Sequence, residues 1–86
     1  MTKKERLEKI KIEYQDRLNH MGDNNLIDGN VAFGLAYLIV IATNELKAAD
    51  GRRKSYREYE RLTVETLEKA FNDVEKEVRK WKENIT

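Results

Sequence analysis

A run of basic residues near the start of the last third of the chain is the segment best suited to binding a charged ligand. Its members are Arg52, Arg53, Lys54, Arg57 and Arg61. Arg53, Arg57 and Arg61 recur at four-residue steps, so in a helix they share one face. Such a face can bind phosphate oxygens or carboxylates. We therefore predict an anion-binding surface for nucleic acid or an acidic protein. The alternative is an exposed, partly ion-paired helix start.

Catalysis and metal binding need groups that converge, and the sequence offers few of them. His20 is the single histidine and cysteine is absent, so thiolate and paired-histidine metal sites are excluded. Asp23, Asn25 and Asp28 resemble a calcium-binding loop, but their spacing is wrong. The twelfth position of that loop would be Gly34, where a glutamate is required. We predict a protein without enzymatic activity, metal or cofactor, which acts by binding.

The overall charge is nearly balanced, with 17 Lys and Arg against 16 Asp and Glu and a formal net charge of +1. No global field therefore draws the chain to nucleic acid or to an anionic membrane, and an electrostatic partner must be recognised locally. The absence of cysteine fits a reducing compartment. The basic residues at 1–4 are followed by further charges rather than by the apolar core of a signal peptide. We expect a cytoplasmic protein.

The elements that must position these residues are helices. Proline is absent, and apolar residues recur at three- and four-residue steps over about residues 3–21, 31–49 and 55–84. Thr2 and Glu5 can form a capping box before the first helix, and Gly22 suits its end. Asp28 or Asn30 can cap the second helix. The predicted fold is all-α, a single domain over residues 1–86. It is a three-helix bundle with a central hydrophobic helix and a long C-terminal helix.

The second helix is predicted to be apolar on all sides. At 100° per residue, one face carries Val31, Leu35, Leu38, Ile39, Ala42 and Leu46. The opposite face carries Phe33, Tyr37, Val40 and Ile41. A helix of this kind is normally enclosed by protein or by lipid. The uncharged apolar segment from residue 31 to 42 rises only about 18 Å, against about 30 Å for a bilayer core. We therefore predict a protein environment and no membrane.

Two amphipathic helices from the same chain cannot cover both faces of this helix. The first face runs along the whole helix, so we assign it to the bundle. We assign the shorter face, with Phe33, Tyr37, Val40 and Ile41, to a homodimer or partner interface. The alternative is a monomer whose third helix curls round to cover both faces. The predicted function is a small regulatory or adaptor protein, such as an inhibitor, which binds another protein. The alternative is a nucleic-acid-binding protein that uses the basic start of helix three.

Overall fold

Three helices make up almost all of the described chain, which confirms the predicted all-α class. The computed structural model describes residues 2–49 and 55–85, the last five by their backbone alone. Helix α1 spans Lys3–Asp23, α2 spans Gly29–Ala49 and α3 spans Tyr56–Ile85. Each boundary lies within two residues of the one predicted from periodicity.

The two ends of α1 test two different predictions about capping. At the start, the Thr2 side chain accepts a hydrogen bond from the Glu5 amide at 3.1 Å, and the Glu5 carboxylate accepts one from the Thr2 amide at 3.3 Å. The capping box is therefore confirmed. At the other end, the prediction that the helix stops at Gly22 is wrong, because α1 continues to Asp23. Asn24 caps it, and Asn25 takes the left-handed conformation with φ 54°. Asparagine tolerates that region, so glycine is not required there.

Helix α2 begins at Gly29, two residues earlier than predicted. Of the two candidate caps, the Asp28 carboxylate accepts a hydrogen bond from the Val31 amide at 2.8 Å. A side-chain oxygen at this place satisfies an amide that the first helical turn leaves without a partner. Leu26 and Ile27 pack against the core and hold the short α1–α2 connection in place.

The helices form an up-down-up bundle. Ion pairs join Arg6 to Glu60 and Arg17 to Glu75, so α1 and α3 run in the same direction. Helix α2 runs antiparallel to both, because Lys47 near its end lies beside the first turns of α1 and α3. The long α3 gives the molecule an elongated shape of 52 × 22 × 19 Å.

The core lies between the inner side of α2 and the facing sides of α1 and α3. Its largest fully buried side chains are Tyr14, Phe71, Leu46, Leu67 and Thr43. The Thr43 hydroxyl donates to the Ile39 carbonyl at 2.7 Å, so this buried polar group is satisfied. The face of α2 that was assigned to the bundle is packed there except at Val31, which is 36% exposed. Val31 lies in the first turn of α2, and its assignment to the buried face was wrong.

Candidate functional site

The four residues predicted to form an interface lie on the side of α2 that faces away from α1 and α3. We call them the outer face of α2. Their exposed fractions are 73% for Phe33, 59% for Tyr37, 53% for Val40 and 37% for Ile41. Isolated exposed apolar residues are ordinary on protein surfaces, whereas a contiguous group of large ones marks an interaction surface. The alternative fold, in which α3 curls round α2, does not occur, since α3 packs on one side only.

The outer face is also free of charge over more than four helical turns. The residues that share this side of α2 along with the four are Asn30, Gly34, Asn44 and Ala48, all of them exposed. The first charged neighbours are Glu45 and Lys47, which lie on opposite flanks. Charged residues make up 38% of the whole sequence. A solvated helix side normally carries many of these charges, so the composition of this side indicates contact with something other than water.

A groove runs along each flank of the outer face. The α1–α2 groove encloses about 430 Å³ and is lined on its apolar part by Ile12, Ile39, Val40 and Thr43. The α2–α3 groove encloses about 480 Å³, and Ile41 and Leu62 line its rim. Ile12 is 58% exposed and Leu62 is 45% exposed. These two residues extend the apolar surface from α2 onto both neighbouring helices.

Helix α2 is also the one helix in the described part of the chain with enough length and hydropathy to span a membrane. The 18-residue window that meets this test has a mean hydropathy of 1.4, and 28% of it is buried. The observed helix has 21 residues, longer than the uncharged segment considered from sequence. Core helices of soluble proteins pass the same test, so this property accords with either environment.

The structure describes only two of the five residues of the predicted basic segment, Arg57 and Arg61. Arg52, Arg53 and Lys54 lie outside the described residues. Arg57 is exposed at the start of α3. Arg61 is also exposed, but its guanidinium forms ion pairs with Glu58 and with Glu65.

Hydrogen bonds to these two carboxylates raise the pKa of Arg61, with the bond to Glu58 as the largest cause. An external anion at Arg61 must compete with both neighbours. The arrangement of Arg61 is therefore that of an exposed, ion-paired helix face.

The fold adds basic residues that sequence reasoning missed. A cavity of about 350 Å³ lies where α1 begins, α2 ends and α3 begins. We call this part of the molecule the basic end. The residues that line the cavity there are Lys3, Lys4, Leu7, Glu8, Lys11, Lys47 and Tyr56. The Lys3 ammonium lies 5.0 Å from the centre of the Tyr56 ring, and Lys11 pairs with Glu8 at 3.6 Å. Lys3, Lys4 and Lys11 belong to α1, and Lys47 of α2 joins them only because α2 runs antiparallel to α1, so no local spacing could reveal the group.

The seam between α1 and α3 is closed by a polar network. The Arg17 guanidinium donates to Glu75 at 3.0 Å, to Glu68 at 2.8 Å and to Asn72 at 3.0 Å. The Tyr14 hydroxyl donates to the same Glu68 carboxylate at 2.6 Å. This hydrogen bond and the neighbouring guanidinium lower the pKa of Glu68.

The same network changes the titration of its other members. Burial and the bond to Glu68 raise the pKa of Tyr14, and the bond to Glu75 raises the pKa of Arg17. Tyr14, Arg17 and Glu68 are therefore neutral, positive and negative respectively at neutral pH. Every member of the network has a hydrogen-bond partner within it, and its single guanidinium is shared by two carboxylates, so the network presents no free cation to an anionic ligand.

The described residues contain no group of three or more His, Asp or Glu side chains placed to hold a metal ion. Comparison with known proteins gives no match to a family model, a curated sequence or a solved structure. The case for a function therefore rests on the residues of this chain. Two surfaces support one: the outer face of α2 and the basic end.

Proposed function

We propose that this chain is a small regulatory or adaptor protein without catalytic activity, which forms a homodimer through the outer face of α2 and binds another protein. The observation that supports the proposal is the exposure of Phe33, Tyr37, Val40 and Ile41 side by side on an uncharged helix side. Aromatic residues at the centre of a flat apolar patch are typical anchors of protein interfaces.

The energy available from this face is large for a chain of this size. Full burial of one large apolar side chain contributes about 1.5–3 kcal/mol. A domain of 86 residues has a total stability of only about 5–13 kcal/mol. Covering the exposed parts of the four side chains therefore contributes about 3–7 kcal/mol before the cost of association, which reaches the lower part of the range for the stability of the monomer. Binding to a second chain buries these side chains and so stabilises the folded state.

A homodimer leaves the charged sides of α1 and α3 for the second partner. Their exposed residues alternate in sign, as in Glu65, Lys69, Asp73 and Lys76 along α3. Such a surface suits recognition of a charged protein surface through many weak contacts rather than through one deep pocket. The regulatory role rests on this division of surfaces, with self-association on α2 and partner binding on the outer helices.

The molar mass in solution tests the dimer directly. We expect twice the chain mass of 10.2 kDa by light scattering at tens of micromolar protein. Val40→Glu places a carboxylate within the outer face and is expected to shift the mass to that of the monomer. Val40 is 53% exposed, so the helical signal of the variant should be retained. A monomeric wild-type protein at this concentration would remove the dimer from the proposal.

Lys76→Glu is the matched control, because it introduces the same residue at an exposed position on α3. We expect this variant to remain dimeric. If Lys76→Glu dissociates the dimer as Val40→Glu does, the effect comes from the change in charge, and the outer face is the wrong surface.

Nucleic-acid binding is the second candidate function, and the convergence of Lys3, Lys4, Lys11 and Lys47 at the basic end favours it. Four or more lysines at one end of the molecule can contact several phosphates at once. We expect binding of a fluorescent DNA duplex at 50 mM salt that falls at least ten-fold by 200 mM salt. Lys4→Glu with Lys47→Glu should abolish binding, while Lys76→Glu with Lys80→Glu should not. Absence of binding at 50 mM salt rules this candidate out.

A further inference from the structure

The residues of the outer face of α2 fall on two flanks, one on each side of Tyr37. Phe33 lies four residues before Tyr37 and Val40 three residues after it. Residues seven apart in a helix share the same flank, and Val40 marks this flank as the one beside α1. Gly34 lies three residues before Tyr37 and Ile41 four residues after it, both on the flank beside α3.

We propose that two copies pair through α2 helices in antiparallel orientation, about a twofold axis that passes beside Tyr37 and perpendicular to the helix. This inference rests on the proposed dimer. Such an axis keeps each flank on its own side and exchanges the two halves of the helix. Phe33 therefore meets the partner's Val40, and Ile41 meets the partner's Gly34.

The α1–α2 groove supplies the space that Phe33 needs in this arrangement. The groove lies beside Val40, in the second half of α2, whereas Phe33 projects from the first half. Its volume of about 430 Å³ accommodates a phenyl ring, and Ile12, Ile39 and Val40 give it apolar walls. The twofold axis brings the ring of each chain over the groove of the other, so the two contacts form together.

On the opposite flank, Gly34 provides a notch. A Cβ atom built on Gly34 would have no heavy atom within 4 Å, so the space above the helix is open. A glycine within an exposed helix side lowers helix stability by about 1 kcal/mol relative to alanine, and no contact among the described residues requires a glycine here. Close approach of the partner's Ile41 gives the glycine a packing role.

Charge favours the same orientation. Lys47 and the other lysines of the basic end lie at the C-terminal end of α2. A parallel pair would place the two basic ends side by side, and like charges in contact across an interface oppose association. An antiparallel pair puts them at opposite ends of the dimer, and it also aligns the helix dipoles favourably.

The surface is large enough for a second copy. The outer face, together with Ile12 and Leu62, exposes roughly 600 Å² per chain if an aromatic side chain covers about 150–250 Å². Two such surfaces bury about 1,200 Å², which is the lower end of the range for specific stable interfaces. We therefore expect a dimer that dissociates on dilution.

The distance between two labels on α2 tests the orientation. The sequence has no cysteine, so Ala48→Cys gives a single site for a nitroxide spin label. Ala48 lies eleven residues after Tyr37 and is exposed. In the antiparallel dimer the two labels lie about 33 Å apart along the helix. In a parallel dimer their separation is close to the interaxial distance of about 10 Å.

A distance near 33 Å by pulsed electron resonance supports the proposal. Dipolar broadening of the continuous-wave spectrum, which reports a separation of about 10 Å, overturns the antiparallel orientation and leaves the dimer intact. Absence of any distance between labels, together with a monomeric mass for the labelled and the unlabelled protein, overturns the orientation and the proposed function together. A signal that appears only with lipid vesicles, the protein being monomeric without them, overturns both in favour of a membrane contact.

A second variant tests the groove. Ile12→Ser removes an apolar wall from the α1–α2 groove twice per dimer, and we expect the dissociation constant to rise at least ten-fold. The monomer should remain folded because Ile12 is 58% exposed. Lys9→Ser, an exposed change on the same helix, should leave the constant within about two-fold. An unchanged constant for Ile12→Ser overturns the contact between Phe33 and the groove.

Discussion

The α1–α3 seam and the outer face of α2 differ in the side chains that they place at the surface of the bundle: the seam has charged groups that pair with one another, and the outer face has exposed apolar groups. At the seam, Arg17 extends from α1 to α3, where its guanidinium lies 5.3 Å from the centre of the Phe71 ring. The same guanidinium forms ion pairs with Glu68 and Glu75. At the outer face, Phe33 and Tyr37 stand in solvent with no charge beside them. The polar groups of the seam find their partners within one chain, whereas the apolar side chains of the outer face are left exposed.

This difference separates stability from interaction. A change at the seam removes contacts that the monomer already has, so it lowers the free energy of unfolding. A change at the outer face concerns side chains that are already exposed, so it leaves the stability of the monomer almost unchanged. Comparing the two kinds of variant at low protein concentration therefore tests whether the outer face serves the fold or a partner.

The largest effect is expected from Phe71→Ala. Phe71 is fully buried and lies 5.4 Å from Tyr14, measured between ring centres. Loss of the ring leaves a cavity that costs about 3–5 kcal/mol in the free energy of unfolding. Phe33→Ala, which removes the same side chain from the exposed face, should change the stability of the monomer by less than about 0.5 kcal/mol. Urea denaturation of both variants at low micromolar concentration measures the contrast, and equal losses would contradict it.

A smaller loss is expected from Arg17→Met. The substitution keeps much of the apolar stem over Phe71 but removes hydrogen bonds to Glu68, Asn72 and Glu75. Because the guanidinium is largely sheltered and bonds to charged groups are the stronger ones, we expect a loss of about 2 kcal/mol. Arg61→Met removes two ion pairs at an exposed site and should cause no measurable change. Thermal unfolding of the two variants compares an inter-helix pair with pairs inside one helix.

Tyr14→Phe isolates a single hydrogen bond of the seam. The hydroxyl donates to Glu68 at 2.6 Å, and the ring itself is buried. Without the hydroxyl the carboxylate keeps Arg17 as a partner, so the expected loss is about 1 kcal/mol. Tyr37→Phe on the outer face is the control and should leave monomer stability unchanged. A loss in Tyr37→Phe as large as that in Tyr14→Phe would indicate that the hydroxyl of Tyr37 contributes to the monomer.

The smallest expected effect is on the stability of the monomer at acidic pH. The pKa of Glu68 is lowered in the folded state, with the Tyr14 hydrogen bond as the largest cause. A lowered pKa means that the contribution of Glu68 to stability is fully present above its ordinary pKa of 4.5 and is lost as pH falls through the folded value.

Glu68→Gln should therefore flatten the fall in stability of the monomer below about pH 5. Glu65→Gln, which changes an exposed carboxylate on the same helix, should not flatten it. Denaturation midpoints between about pH 3 and pH 7 measure the difference. A profile for Glu68→Gln that coincides with that of the wild type would contradict the assignment.

Local pattern alone predicted most of the fold. The period of apolar residues placed three helices to within two residues at each end, since a helix follows from interactions three and four residues apart. The Thr2 capping box was readable because its two members lie in one turn. The end of α1 was misplaced, because Gly22 and Asn25 both suit a helix end and their sequence does not rank them. The period of apolar residues also revealed that α2 is apolar on both faces, and the exposure of the outer face agrees with that prediction.

The tertiary structure alone decided how the charges are arranged. Lys3, Lys11 and Lys47 meet at one end only because α2 reverses direction, and Arg17 finds Glu68 fifty-one positions away because α1 and α3 run parallel. The direction in which helices pack depends on the whole set of buried contacts, which no short window of sequence contains. Sequence thus specified most of what each helix buries and leaves exposed, while packing determined which charged groups of different helices lie together.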